Sequence, residues 1–246
     1  MKTFLMVPGF ERCGTSWLHD YLSNNNKINF GTVKEYNFFN SIYLDEYKIF
    51  KEINKLKPTL KSFYNDEYAY YNYFLNILNS CNLTGDFSPG YTSLNYDIFY
   101  KIKNIFFDNN IKVKVILLLR DPVQRHVSAT KMRIQYSHLN ITNNEYNKIL
   151  INNINDPIFK INSNYNNSYN KLLNIFKDDF LTIKYENLFT NESINNICNF
   201  LEIEYVKPDF LKFVNHTKDT KLLINDNTID ILNQHYKEQT LFLNNL

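Results

Sequence analysis

The sequence predicts an α/β fold, a central parallel β-sheet flanked by helices. Three observations predict it. Short apolar runs at 3–7, 112–119 and 180–184 read as strands. Stretches with helical apolar spacing separate them, and strands alternating with helices give a parallel sheet. The run 112–119 is almost continuously apolar, as expected of a strand covered on both faces. The chain of 246 residues suits one domain over 1–246.

Each element follows from local signals. Residues 3–7 form a strand that Pro8-Gly9 breaks. A loop runs to Gly14, and a helix follows over 15–22, where Thr15 or Ser16 can satisfy open N–H groups of the first turn. Residues 36–80 are aromatic-rich and mostly helical in period, with a break at Lys57-Pro58. A short strand over 83–87 ends at Ser88-Pro89-Gly90, and 96–107 reads as a helix. Arg120-Asp121-Pro122 ends the central strand, and Pro122 suits the first turn of the next helix. Further on come a helix over 165–176, a strand over 180–184, a helix over 193–201 and a terminal helix over 228–242. The Asn-rich stretch 151–170 reads as the most loop-like.

Composition narrows the function. Hydrophobic residues make up 44% and charged residues 21%, which argues against disorder. The net charge of +2 gives no basic field for nucleic acid, so no nucleic-acid partner is expected and any anion site is local. The longest apolar run carries a Lys and is too short to cross a bilayer. No secretory pattern opens the chain, so cytoplasmic residence is the expectation. Cys13, Cys81 and Cys198 form no C-x-x-C pair, and the five histidines form no ligand set, so no metal is expected. The chain has five glycines and only four arginines, Arg12, Arg120, Arg125 and Arg133. Asn, Lys, Ile, Tyr and Phe dominate, as under an A/T-rich coding bias, so an Arg or Gly marks a place where its chemistry is needed.

The segment Gly9-Phe-Glu-Arg-Cys-Gly14-Thr15-Ser16 follows a strand and opens a helix. In that context backbone N–H groups and a helix N-terminus converge on an anion. It approaches G-x-x-x-x-G-K-[ST], but Thr15 stands where the Lys that reaches the outer phosphates belongs. That speaks against an ATPase or kinase. The alternative is an ordinary βα turn.

Arg12-Cys-Gly-Thr-Ser-Trp17 resembles the 5′-phosphosulfate loop of sulfotransferases that use 3′-phosphoadenosine 5′-phosphosulfate (PAPS). The resemblance implies a three-layer fold like that of P-loop NTPases. It also implies donor binding by Arg12, Cys13, Gly14, Thr15, Ser16 and Trp17. Lys34-Glu35-Tyr36-Asn37-Phe38-Phe39 is similar to the family's Lys-Glu-x-x-Phe-Phe stretch, which implies Glu35 as catalytic base and Lys34 beside it. There a carboxylate takes the acceptor proton, and Phe38 and Phe39 would wall the site and raise its pKa. The other reading is an exposed Lys-Glu pair before buried rings. Gly85-Asp-Phe-Ser-Pro-Gly-Tyr91 resembles the Glu-Lys-Thr/Ser-Pro-x-Tyr loop, with Phe87 replacing a Lys that helps stabilise the transferring group. Arg12 or Lys34 would then take over that task.

The run from Val115 to Ser128 resembles the family's 3′-phosphate-binding strand and helix, with Arg120 and Ser128 at the family spacing. An Arg at a strand end makes charge-assisted bonds to phosphate, and a Ser on the next helix adds a hydroxyl. The alternative pairs Arg120 with a carboxylate. Arg125 reads as a structural ion pair, and Lys131 and Arg133 as either cleft or surface charge. Residues 172–188 and Phe200-Leu201 resemble structural parts of the family frame, and Lys218 and Lys221 fall where a basic loop covers the nucleotide. His19 and His126 do not occupy the place of the histidine base of small-molecule members.

The resemblance therefore implies a PAPS-dependent sulfotransferase that acts on an acceptor hydroxyl, leaves 3′-phosphoadenosine 5′-phosphate (PAP) and needs no metal. The Glu-x-x-Phe-Phe pattern leans to a carbohydrate acceptor on a glycan or glycolipid. Protein tyrosine or a small molecule is the alternative acceptor. Two rivals of other classes are a kinase with a degenerate P-loop and a nucleotide-binding protein whose chemistry has decayed.

Overall fold

The computed structural model describes residues 2–48, 52, 58–212, 214 and 221–246. Its centre is a sheet of β1 (Thr3–Met6), β2 (Leu83–Asp86), β3 (Lys112–Leu119) and β4 (Phe180–Lys184). The spatial order is β2-β1-β3-β4 and every pairing is parallel. β1 is buried throughout, and β3 is buried from Val113 onward, as its apolar run requires. The chain leaves β1 for β2 on one side and reaches β3 on the other. The carboxyl ends of β1 and β3 thus flank the switch point at which ligands of open α/β sheets sit.

Helices cover the sheet. α1 (Thr15–Ser23) follows β1 and buries Trp17, Leu18 and Leu22. The aromatic-rich stretch forms α2 (Phe38–Tyr43), a 3-10 turn (Asp45–Tyr47), α3 (Pro58–Asn65) and α4 (Glu67–Ile77). Pro58 opens α3 as the expected break requires, and Lys57 lies outside the described residues. Another 3-10 turn, Pro89–Ser93, leads to α5 (Tyr96–Asp108), capped by the Asn95 side chain on Ile98 N. Phe106 of α5 stacks on Phe4 of β1 at 4.1 Å, and Phe74 of α4 meets Phe4 edge-on at 5.0 Å. Such pairs add about 0.5–1.5 kcal/mol beyond area burial. α6 (Pro122–Tyr136) begins at Pro122, with the Asp121 side chain accepting from Gln124 N.

Two expectations need correction. The Asn-rich stretch holds more helix than expected: α7 (Asn143–Asn153) and α8 (Pro157–Ile161) pass through it, besides the expected helix over 165–176, which is α9 (Tyr165–Phe176). Local chemistry explains why. Thr142 and Glu145 form a capping box on α7, and Asp156 caps α8 through Ile158 N and Phe159 N. Leu150, Phe159 and Tyr165 bury the inner faces. The expected single terminal helix is two, α12 (Asp226–His235) and α13 (Lys237–Asn244), parted at Tyr236. Tyr236 is buried, with its hydroxyl 2.7 Å from His126 Nδ1, and this tertiary anchor interrupts the local period. Between these regions lie α10 (Tyr185–Leu188) and α11 (Asn191–Leu201).

Candidate active site

The loop after β1 is shaped by close approach and by two left-handed residues. A Cβ on Gly9 would lie 2.9 Å from Leu118 N, so only glycine lets the loop run this close to β3. Arg12 has φ 66° and Gly14 φ 91°. Non-glycine residues rarely adopt this conformation, and Arg12 holds it at a cost of about 1 kcal/mol or more. Gly14 then starts α1 with no side-chain cap and no acidic residue in the first turn. The positive end of the helix dipole therefore carries no carboxylate of its own first turn, a setting that suits an anion.

Two arginines meet at this loop. Arg12 Nε donates to Ser128 Oγ on α6 at 2.9 Å, and its Nη1 lies 3.6 Å from Met132 Sδ. Arg120, just past β3, donates from Nη1 to the Arg12 carbonyl at 3.1 Å. Its guanidinium lies over the Tyr185 ring at 4.3 Å, and its own carbonyl accepts from Tyr165 Oη at 2.9 Å. The buried Arg120 Nε has no hydrogen-bond partner among the described residues. Burial first, and the like charge of Arg120 second, push the Arg12 pKa down. Such convergence of cations is costly unless an anion joins them. Among the described residues no carboxylate forms an ion pair with Arg120.

The opposite wall carries Lys34 and Glu35. Lys34 Nζ donates to Glu35 Oε1 at 2.5 Å and to Thr15 Oγ1 at 3.2 Å, which ties the pair to the first residue of α1. Lys34 is 19% exposed and Glu35 39% exposed. Phe38 and Phe39 are fully buried core rings, with Phe38 stacked on Tyr70 at 4.9 Å and Phe39 edge-on to Tyr91 at 5.5 Å, and Asn37 before them stands at φ 48°.

A latch that the sequence does not announce holds this wall. Three successive amides donate to side chains at the end of β2 and just beyond it. Tyr36 N reaches Asp86 Oδ1 at 3.5 Å, Asn37 N reaches Ser88 Oγ at 2.8 Å, and Phe38 N reaches Tyr91 Oη at 3.1 Å. Asp86 is fully buried and also accepts from Ser88 Oγ, Tyr70 Oη and Tyr91 Oη. Burial pushes its carboxyl up to about 6 against these hydrogen bonds, which pull it down. Phe87 donates its N–H to the Lys34 carbonyl at 3.3 Å, while its ring packs on Phe30 and His19. Burial and Lys34 hold the His19 pKa down at about 4.

The remaining predicted residues are placed as follows. Cys13 is fully buried with its thiol pushed up to about 12 by burial, so it offers the site only its backbone. Trp17 is sunk among Tyr21, Phe189 and Phe210, leaving no ring face for a ligand. Lys218 lies outside the described residues. Lys221 is exposed, in a segment whose Leu222 and Ile224 pack against the α6–α7 cluster. Among the described residues no group of three His, Cys, Asp or Glu could hold a metal ion. No helix of the described residues is long and apolar enough to cross a membrane. Asp86 and Tyr185 lie in segments that the resemblance covers but that gave them no role, and Tyr165 lies outside those segments; their contacts bridge distant parts of the chain.

The model of the Sulfotransferase family matches residues 5–207, a span that holds the loop, Lys34-Glu35, Asp86, Arg120 and Ser128. The chain belongs to the sulfotransferase family. Solved structures share this sulfotransferase's fold at low identity. One from Alicyclobacillus acidocaldarius superposes with a TM-score of 0.64 at 17% identity, covering 97% of this chain and 93% of that one. A Mycobacterium avium sulfotransferase gives 0.52 at 12% identity, covering 100% of this chain and 77% of that one. The sulfotransferase domain from the curacin biosynthetic pathway gives 0.50 at 14% identity, covering 95% and 97%. No curated protein matches the chain.

Proposed function

We propose that this sulfotransferase moves a sulfuryl group from PAPS to an acceptor hydroxyl on a glycan or glycolipid, as one domain working in the cytoplasm. One observation carries the reading. Arg120 holds the Arg12 carbonyl in the loop that opens α1, near enough to Arg12 to depress its pKa, and the Lys34-Glu35 pair is bonded to Thr15, the first residue of that helix. The residues suit the donor: the orphaned buried Arg120 Nε and two adjacent guanidiniums call for an anion of more than one charge.

PAPS supplies an activated sulfuryl group; the chain's residues do the rest. Arg120 and Ser128 hold the 3′-phosphate, while Arg12 and the α1 N-terminus take the 5′ end. Lys34 takes the place of the Lys that Phe87 displaces, because its ammonium already sits 3.2 Å from Thr15 Oγ1. It steadies charge on the sulfuryl oxygens. With Oε1 held by Lys34, Glu35 takes the acceptor proton on Oε2. A partly exposed carboxylate suits an acceptor that arrives from solvent.

Thermal stabilisation by PAP, with ATP plus Mg²⁺ in parallel, tests the donor. At 100 times its Kd a ligand adds about 2.7 kcal/mol of stability. We expect a shift with PAP, little with ATP, and its loss in Arg120→Ala. A shift with ATP and Mg²⁺ alone would refute the reading. Glu35→Gln should lower kcat by about 100- to 10,000-fold with PAP binding intact; undiminished turnover would remove Glu35 as base.

A further inference from the structure

Of the 27 basic residues only four are arginine, and all four gather on one loop. Arg12 lies in it, and Arg120 holds the Arg12 carbonyl. The other two flank the residue before Arg12: the buried Glu11 Oε1, which has no hydrogen-bond partner among the described residues, lies at ion-pair distance from both, 3.9 Å from Arg125 Nη1 and 3.8 Å from Arg133 Nη2. Both arginines come from α6, eight residues apart. Both are held from behind. Arg125, fully buried, donates from Nη2 to Ser163 Oγ at 2.7 Å. Arg133 pairs with Asp156 at 3.5 Å and lies over the Phe159 ring at 4.2 Å. The sulfotransfer reading gives Glu11, Arg125 and Arg133 no task.

We propose that Glu11 is a positioning residue: clamped between Arg125 and Arg133, it holds Arg12 in the left-handed conformation that lays its guanidinium against Ser128. The inference rests on the donor-binding role given to Arg12. The backbone supports it. Arg12 at φ 66° is strained, and such a residue persists only where its surroundings over-determine it. Two anchors do so here, the Glu11 carboxylate on one side and the Arg12 carbonyl bonded to Arg120 on the other. Arginine suits the clamp because it stays charged when buried and its donors are fixed in a plane, whereas buried lysine loses its proton readily. The clamp also binds the loop to α6, the helix that carries Ser128. The two halves of the anion site therefore keep one spacing.

Cys13, two residues beyond Glu11, gives a readout that needs no nucleotide. It is fully buried under the loop, and Cys198, equally buried on α11, serves as internal control. Wild type, Glu11→Gln and Arg133→Met are treated with N-ethylmaleimide and each cysteine is followed by mass spectrometry. In both variants Cys13 should label at least about tenfold faster while Cys198 keeps its wild-type rate, as local opening requires. PAP affinity should fall at least about tenfold in Glu11→Gln, and should fall no further when the change is made in an Arg12→Ala background, because Glu11 acts through Arg12. Cys13 and Cys198 accelerating together would show general loosening and overturn the proposal. So would an unchanged Cys13 rate, or an undiminished effect of Glu11→Gln without Arg12. If Cys13 responds as expected while wild type binds no PAP, the clamp stands and the donor assignment falls.

Discussion

At the scale of single residues, Asp86 shows how a buried carboxylate can organise a turn distant in sequence. It is fully buried, accepts from Ser88, Tyr70 and Tyr91, and holds the turn that carries Glu35. Its folded pKa of about 6 lies above the ordinary carboxyl value. The folded state therefore binds this proton more tightly than the unfolded state. The resulting stability is fully present below about pH 4 and is lost as pH rises through about 6. Asp86→Asn keeps the shape and removes the titration. Relative to wild type, the variant should gain about 2 kcal/mol between pH 4 and pH 7 in urea unfolding. A constant difference across that range would show that Asp86 is not the titrating group.

At the scale of elements, the polar joint between α6 and the terminal helices has the opposite sign. His126 is buried, with Nε2 2.9 Å from the Leu150 carbonyl and Nδ1 2.7 Å from Tyr236 Oη. A carbonyl only accepts, so Nε2 carries the proton and Nδ1 accepts from the tyrosine. Burial holds the pKa down at about 4, so the neutral ring is the folded form. This stability is present above the ordinary histidine pKa of about 6.5 and is lost as pH falls towards 4. His126→Gln should flatten that part of the stability profile, measured by unfolding at pH 7, 6, 5 and 4. The same joint splits the C-terminal helix at Tyr236. It was invisible in the apolar period because its partner lies 110 residues away. The helices α7 and α8, by contrast, carry their caps in the local sequence, Thr142 with Glu145 and Asp156. Capping chemistry decides there, not the Asn-rich composition that suggests a loop.

At the scale of the whole molecule, the site exists because four parallel strands end on one edge. β1 lies so close to β2 that a Cβ on Gly85 would sit 2.0 Å from the Leu5 carbonyl. Gly85→Ala must therefore part edge strand β2, which carries the Asp86 latch, from β1, which leads into the loop. We expect a loss of at least about 3 kcal/mol in unfolding free energy, or failure to fold, as for severe overpacking of a tight core. Normal stability in that variant would contradict the β1–β2 register.

The sequence by itself determined the strands, most helices and the local identity of the anion loop. Those depend on residues near one another: an apolar run, a Pro-Gly break, an Arg two residues before a Gly. It also named Arg12, Lys34, Glu35, Arg120 and Ser128 as candidates, since each sits in a short segment of fixed spacing. Only the tertiary structure decided strand order, the fate of Phe38 and Phe39 as core rings, and the pairing of Arg12 with Ser128 across 116 residues. It alone revealed Asp86 as a latch and Glu11 between two arginines. The physical reason is range: backbone preference and side-chain period act over a few residues, while burial and charge pairing act between whatever surfaces the sheet brings together.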